Sequence, residues 1–141
     1  MTARRAVIDT NVLISAALSP GGTAAAVTRW FIRHGRLIFS SETFAELESR
    51  LMRSKFDRYI TSAIRLDVLR DLGAVAEWVE VRNRGSYSRD SDDDKFIDTA
   101  QAGGAQVLVS GDADLTDLKS VAGFPILTPR ECLDWLESLG P

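Results

Sequence analysis

Four short apolar runs punctuate this chain, Ala6-Val7-Ile8, Leu37-Ile38-Phe39, Val107-Leu108-Val109 and Phe124-Pro125-Ile126-Leu127, and stretches with helical periodicity separate them. Runs without polar alternation suit strands buried on both faces, and strands joined through helices pair in parallel. Trp78-Val79-Glu80-Val81 reads as a further strand, third in chain order. The expectation is an α/β fold, a three-layer α/β/α sandwich around a central, mostly parallel sheet of about five strands. At 141 residues and 45% hydrophobic, the chain suits a single domain over 1–141.

The helices announce themselves by stripes and caps. Ala24, Val27, Trp30 and Phe31 recur at helical spacing, and His34-Gly35 closes that helix, which makes His34 a helix end more than a ligand. Ser40-Ser41 offers an N-cap before the stripe Phe44, Leu47 and Leu51. Ile60, Ile64, Val68 and Leu72 predict the buried face of another helix. An aspartate block opens a helix through Phe96, Ile97, Ala100 and Ala102, closed by Gly103-Gly104. Thr128-Pro129-Arg130-Glu131 is a capping box with proline at the first helical position, and the last helix follows through Leu133, Leu136 and Leu139.

Against this frame the acids stand out. Asp9 follows the first apolar run, Asp112 and Asp114 follow Val107-Leu108-Val109, and Asp90, Asp92, Asp93 and Asp94 form one block. In a parallel sheet, ligands sit beyond the carboxyl ends of the strands, so Asp9 and Asp112 are expected at one edge. Carboxylates gathered there repel one another and lose hydration unless protons or a cation neutralise them. With one His and one Cys in the chain, an all-oxygen site for Mg²⁺ or Mn²⁺ is the chemistry left.

Each acid also has a bland role. Asp92 can be an N-cap, Asp93 and Asp94 first-turn acids, and Asp114 the cap of a turn over Leu115 to Leu118. Thr10 and Asn11 can cap a helix over Val12 to Leu18, which leaves Asp9 without a structural task. Glu46 lies beside the Leu47 stripe and is either directed to the sheet or paired with Arg50 at i,i+4.

A net charge of −3 excludes a bulk polycation, yet 14 of the 17 basic residues are arginine, the better partner for phosphate. They gather at Arg29, Arg33 and Arg36, at Arg50, Arg53, Lys55 and Arg58, and at Arg82, Arg84 and Arg89. Such clusters are solvated faces or cradles for a polyanion. One cysteine excludes an internal disulfide framework and fits a reducing compartment, and no apolar stretch reaches membrane-spanning length. A cytoplasmic protein without membrane attachment is expected.

Four motifs in order carry a resemblance: Asp9-Thr10-Asn11-Val12-Leu13-Ile14-Ser15, Glu46, Arg89-Asp90-Ser91-Asp92-Asp93-Asp94-Lys95-Phe96, and Val109-Ser110-Gly111-Asp112. Together they resemble the PIN-domain family over about residues 5 to 130, in particular the toxin-like PIN proteins of prokaryotic toxin–antitoxin systems. The resemblance implies a PIN-like fold and an endoribonuclease that depends on Mg²⁺ or Mn²⁺ and leaves a 5′-phosphate and a 3′-hydroxyl.

By position, Asp9, Glu46, Asp93 and Asp112 match the four catalytic, metal-binding acids, and Asp94 and Asp114 are lesser ligand candidates. Asp93 is chosen within its block on its spacing to Ala100 and Asp112, with Asp92 and Asp94 the adjacent alternatives. Thr10 and Asn11 match the polar pair after the first acid, and Ser110 stands where the family often has threonine. The implied partners are an RNA substrate, a small antitoxin covering the acidic pocket, and a second copy in a homodimer.

An acidic centre repels a polyanion, so flanking cations must hold the RNA. Arg82, Arg84 and Arg89, with Tyr87 for base stacking, and the Arg50 to Arg58 stretch are the candidates. Two rival readings are a PIN-like nucleic-acid-binding or regulatory domain without activity, and a phosphohydrolase of haloacid-dehalogenase type. The latter needs a second Asp two residues after the first, where this chain has Asn11.

Overall fold

The structure is a computed structural model that describes residues 4–82, 84–85, 91–118 and 123–139. Its strands are β1 (Arg4–Ile8), β2 (Gly35–Phe39), β3 (Glu77–Trp78), β4 (Val107–Val109) and β5 (Ile126–Leu127). The helices are α1 (Thr10–Leu18), α2 (Thr23–His34), α3 (Ser41–Leu51), α4 (Ser62–Val75), α5 (Asp94–Gly103), α6 (Ala113–Thr116) and α7 (Pro129–Ser138). Short 3₁₀ turns cover Ser54–Phe56 and Ser91–Asp93.

All pairings are parallel and the strand order is β3-β2-β1-β4-β5. The chain moves from β1 outward to β3, then crosses back to β4 on the other side of β1. That reversal opens a crevice at the carboxyl ends of β1 and β4, the usual ligand position in such sheets.

The apolar strands divide their side chains by twos. Ala6, Ile8, Leu37, Phe39, Val107 and Val109 join Val12, Leu13, Phe31, Leu47, Leu72 and Leu136 on one face. Val7, Ile38, Leu108 and Ile126 join Phe96, Ile97, Ala100 and Leu115 on the other. Both faces of the sheet are therefore covered, and the fold is the three-layer α/β/α sandwich expected from the apolar runs. Cys132 is buried in the first of these cores, where burial pushes its thiol up to about 12, so it packs as a small hydrophobe.

The caps follow the sequence closely. Ser40 and Thr43 form a capping box on α3, Thr128 and Glu131 form one on α7, and Gly104 closes α5 at φ 63°, a left-handed position. His34 is the last residue of α2. At Gly35 the backbone of β2 presses on β1 so closely that a Cβ would lie 2.7 Å from the Arg4 carbonyl oxygen.

Three expectations need correction. The third strand is Glu77–Trp78, two residues instead of four; the pairing persists only as one bond from the Val79 N–H to the Phe39 carbonyl, 2.9 Å. The fifth strand shrinks to Ile126–Leu127, with Pro125, which has no N–H to donate, contributing its carbonyl to Leu108 N–H at 3.1 Å. On α4 the buried face is Arg65, Leu69 and Leu72, whereas Ile64 is 49% exposed and Ile60 precedes the helix. The helix begins at Thr61 as N-cap, which rotates the stripe by one residue. Arg65 is tolerated inside because its guanidinium donates to Asp57 Oδ1 at 2.9 Å and to the Ile60 carbonyl at 3.0 Å.

Candidate functional site

The site begins where β1 stops. The Asp9 N–H donates to the Val109 carbonyl at 2.9 Å, which fixes this residue beside the end of β4. Its Oδ1 accepts from Val12 N–H at 2.9 Å and caps α1, and its Oδ2 accepts the Ser110 hydroxyl. Ser110 Oγ in turn accepts from Asp112 N–H at 3.0 Å, so one hydroxyl ties the ends of β1 and β4 together. Asp112 caps α6 by accepting from Asp114 N–H at 2.9 Å.

Two cap assignments from the sequence are thereby exchanged. Asp9, not Thr10 or Asn11, caps the first helix, because that helix starts at Thr10. Asp112, not Asp114, caps the short α6. Asp93 is the N-cap residue of α5 without a side-chain cap bond, and Asp92 lies exposed in the preceding turn.

Carboxylate oxygens of Asp93, Asp112 and Asp114 all lie within 4.8 Å of one another, each residue partly buried. Asp9 adjoins them through Ser110 and is 5% exposed. Burial raises the Asp9 carboxyl to about 6; the bonds from Ser110 and Val12 oppose the rise, and the charges of Asp112 and Glu46 add to it. A donor set made of carboxylate oxygens, part of it poorly hydrated, suits Mg²⁺ or Mn²⁺. Among the described residues, Asp93, Asp112 and Asp114 are close enough together that they could hold such an ion, with Asp9 beside them.

Glu46 takes a different place. Its Oε2 accepts from Thr10 Oγ1, while Oε1 faces Lys95 Nζ at 2.9 Å and Arg50 at 3.0 Å. Both readings of this glutamate therefore hold at once, since it pairs with Arg50 and also reaches the sheet edge. Sequence reasoning overlooked Lys95; the available signal was a single cation inside the run Asp92-Asp93-Asp94-Lys95. Asp94 is buried in the first turn of α5, and Asp98 is buried as an acceptor for Gly85 N–H at 2.9 Å, which gives Asp98 a structural role.

A cleft of about 370 Å³ opens on the acids, lined by Asp9, Asn11, Ser15, Gly111, Asp112 and Pro129 among others. A second cleft of about 250 Å³ is lined by Asn11, Ser15, Arg50, Arg53, Lys55 and Phe56. Asn11 and Ser15 belong to both, so the acidic and basic clefts meet along α1. Of the loop cations, Arg82 faces Glu80 at 3.6 Å and Arg84 pairs with Glu42 at 3.1 Å; Tyr87, Arg89 and Asp90 lie outside the described residues.

The Ser110 hydroxyl makes a direct prediction. Ser110→Ala is expected to weaken Mn²⁺ binding by about 10–100-fold, the usual loss when an outer partner of a ligand is removed, and Ser110→Thr to retain it. Calorimetric titration checks both; equal affinity for the alanine variant would remove Ser110 from the site.

The comparisons with known proteins agree with the fold. An uncharacterized protein of Methanocaldococcus jannaschii is 28% identical over 143 residues, spanning 94% of this chain and 92% of its own length. Among solved structures, VapBC2 from Rickettsia felis bound to a DNA fragment from their promoter superposes with a TM-score of 0.58 at 12% identity, covering 86% of this chain and 96% of that one. Mycobacterium tuberculosis VapC20, described as a Sarcin-Ricin loop cleaving toxin, gives 0.53 at 14% identity over 84% and 95% of the two chains. The sequence model of the PIN domain matches residues 5–114, and on that match the chain belongs to the PIN-domain family.

Proposed function

We propose that this protein is a divalent-metal-dependent endoribonuclease, acting in the cytoplasm as the toxin of a toxin–antitoxin pair. The observation that carries the reading is the convergence of Asp93, Asp112 and Asp114 oxygens within 4.8 Å beside the buried Asp9. When bound, a Mg²⁺ or Mn²⁺ ion supplies positive charge against the phosphodiester and makes a water more acidic. The carboxylates hold and orient that ion, and the strand ends fix the carboxylates before substrate arrives.

The basic cleft supports a polyanionic substrate. Arg50, Arg53 and Lys55 offset the repulsion of the acids, and Phe56 offers a ring against which an unstacked base can lie. Single-stranded or looped RNA suits this equipment better than duplex, whose bases are already stacked. The name of the VapC20 neighbour, a Sarcin-Ricin loop cleaving toxin, supports the same substrate class. A small antitoxin that covers the acidic cleft is the partner that the VapBC2 neighbour favours.

The test is cleavage of a labelled single-stranded RNA by the purified protein. Cleavage is expected with Mg²⁺ or Mn²⁺ and none in excess EDTA; full activity in EDTA would overturn the mechanism. Growth arrest on induced expression, relieved by a neighbouring small open reading frame, is the expected sign of the toxin role.

A further inference from the structure

We infer that this chain works with a single divalent ion, because the Lys95 ammonium occupies the cationic position that a second ion would need beside Glu46. The inference rests on the metal-site reading above and deepens it by fixing the ion count. Two-metal nucleases place their ions close together, and acids must reach both. Here the acids divide into two groups with different partners.

Asp93, Asp112 and Asp114 share one small space, with Asp9 tied to Asp112 through Ser110. Glu46, on α3, is not among the acids whose oxygens lie within 4.8 Å of one another, and its carboxylate is already engaged by Thr10, Lys95 and Arg50. A carboxylate accepts about four hydrogen bonds, so three donors leave little room for a metal ion. Two of those donors are cationic, which reverses the local charge from the one that recruits a cation. The side chains of Glu46 and Lys95 are 11% and 23% exposed, so the pair is shielded and water does not screen it as at an open surface.

Lys95 reaches Glu46 because α5 opens directly after the aspartate block. Asp93 and Lys95, two residues apart in sequence, thus serve the two groups separately, one as acid and the other as the resident cation. Lys95 is a positioning residue in this arrangement: it holds Glu46 against Thr10, and Thr10 follows Asp9 at the start of α1.

Titration calorimetry of the full metal-free chain with Mn²⁺ alone tests the inference. One ion per chain is expected for the wild type. Glu46→Gln is expected to keep one ion with less than about a tenfold change in affinity, as for a group outside the ligand set. Lys95→Gln is expected to admit a second ion and Lys95→Arg to keep one, and the Mn²⁺ electron paramagnetic resonance spectrum should show spin coupling only in the glutamine variant.

Two ions in the wild type, loss of binding in Glu46→Gln, or a single ion in Lys95→Gln would each overturn the inference while leaving the metal site standing. No Mn²⁺ bound by the wild type would bring down the metal-site reading itself. The wild-type count and the Glu46→Gln titration need no Lys95 variant to fold.

Discussion

Asp9→Asn is expected to yield a protein that, free of metal at pH 8, melts several degrees above the wild type and cleaves RNA at least about 100-fold more slowly. The stability gain follows from the sign of the Asp9 shift. Its folded carboxyl titrates at about 6 against an ordinary 3.8, chiefly because burial disfavours the charge. Above pH 6 the folded state carries a buried carboxylate that the unfolded state would hydrate, a penalty of about 3 kcal/mol. The penalty fades as pH falls through 6 and is gone below 3.8, so this group makes the metal-free wild type more stable on acidification across that window.

Asparagine removes the charge, its Oδ1 still caps α1, and its Nδ2 donates to the Ser110 Oγ where Asp9 accepted, so the variant should melt higher at pH 8 and show a flatter pH dependence. Thermal melts of both proteins across pH 4 to 8, about the limits of the window, check the claim. A variant that melts lower at pH 8 would mean that Asp9 is stabilised by its partners more than it is penalised by burial. Gain in stability with loss of activity is the expected mark of a strained site.

Asp112→Asn is the second change with a large expected effect. Mn²⁺ at about 100 times its Kd should stabilise the wild type by about 2.7 kcal/mol, since it binds the folded state and not the unfolded one. In Asp112→Asn the cap on α6 survives, because the amide oxygen can accept from Asp114 N–H, but one charge of the Asp93, Asp112 and Asp114 group is gone. The Mn²⁺-induced rise in melting temperature should collapse toward zero while the metal-free protein stays folded. A rise equal to that of the wild type would show that the ion sits elsewhere.

The parallel sheet was legible because its central strands are continuous apolar runs, a pattern that only burial on both faces explains. Edge strands carry less of that pattern, which is why β3 was expected too long and β5 lost its proline segment. The α4 stripe was misjudged for a related reason: a buried Arg65 contradicts hydrophobic periodicity until its partners at Asp57 and Ile60 are seen.

The strand-end position of Asp9 and Asp112 followed from the sheet itself, whereas cap assignments depended on a one-residue difference in where each helix starts. Lys95 stayed hidden because a lysine after three aspartates reads as neutralisation of its neighbours. Its partner is instead Glu46, on another helix and 49 positions away. Contacts of that kind arise from the packing of α3 on α5 and leave no local trace in the sequence.

The chemistry of the cut ends tests the central claim most directly. Under the proposed function, the acids would hold a divalent ion that makes a water more acidic; the water oxygen would bond to phosphorus as the bond to the 3′ oxygen breaks, leaving a 3′-hydroxyl and a 5′-phosphate with one oxygen from solvent. Cleavage of a defined RNA in ¹⁸O-labelled water, with the products read by mass spectrometry, should show those ends and one labelled oxygen. Products ending in 2′,3′-cyclic phosphate, without solvent oxygen, would contradict the account, because the RNA's own 2′-hydroxyl would then be the nucleophile and the carboxylate site would not be delivering water.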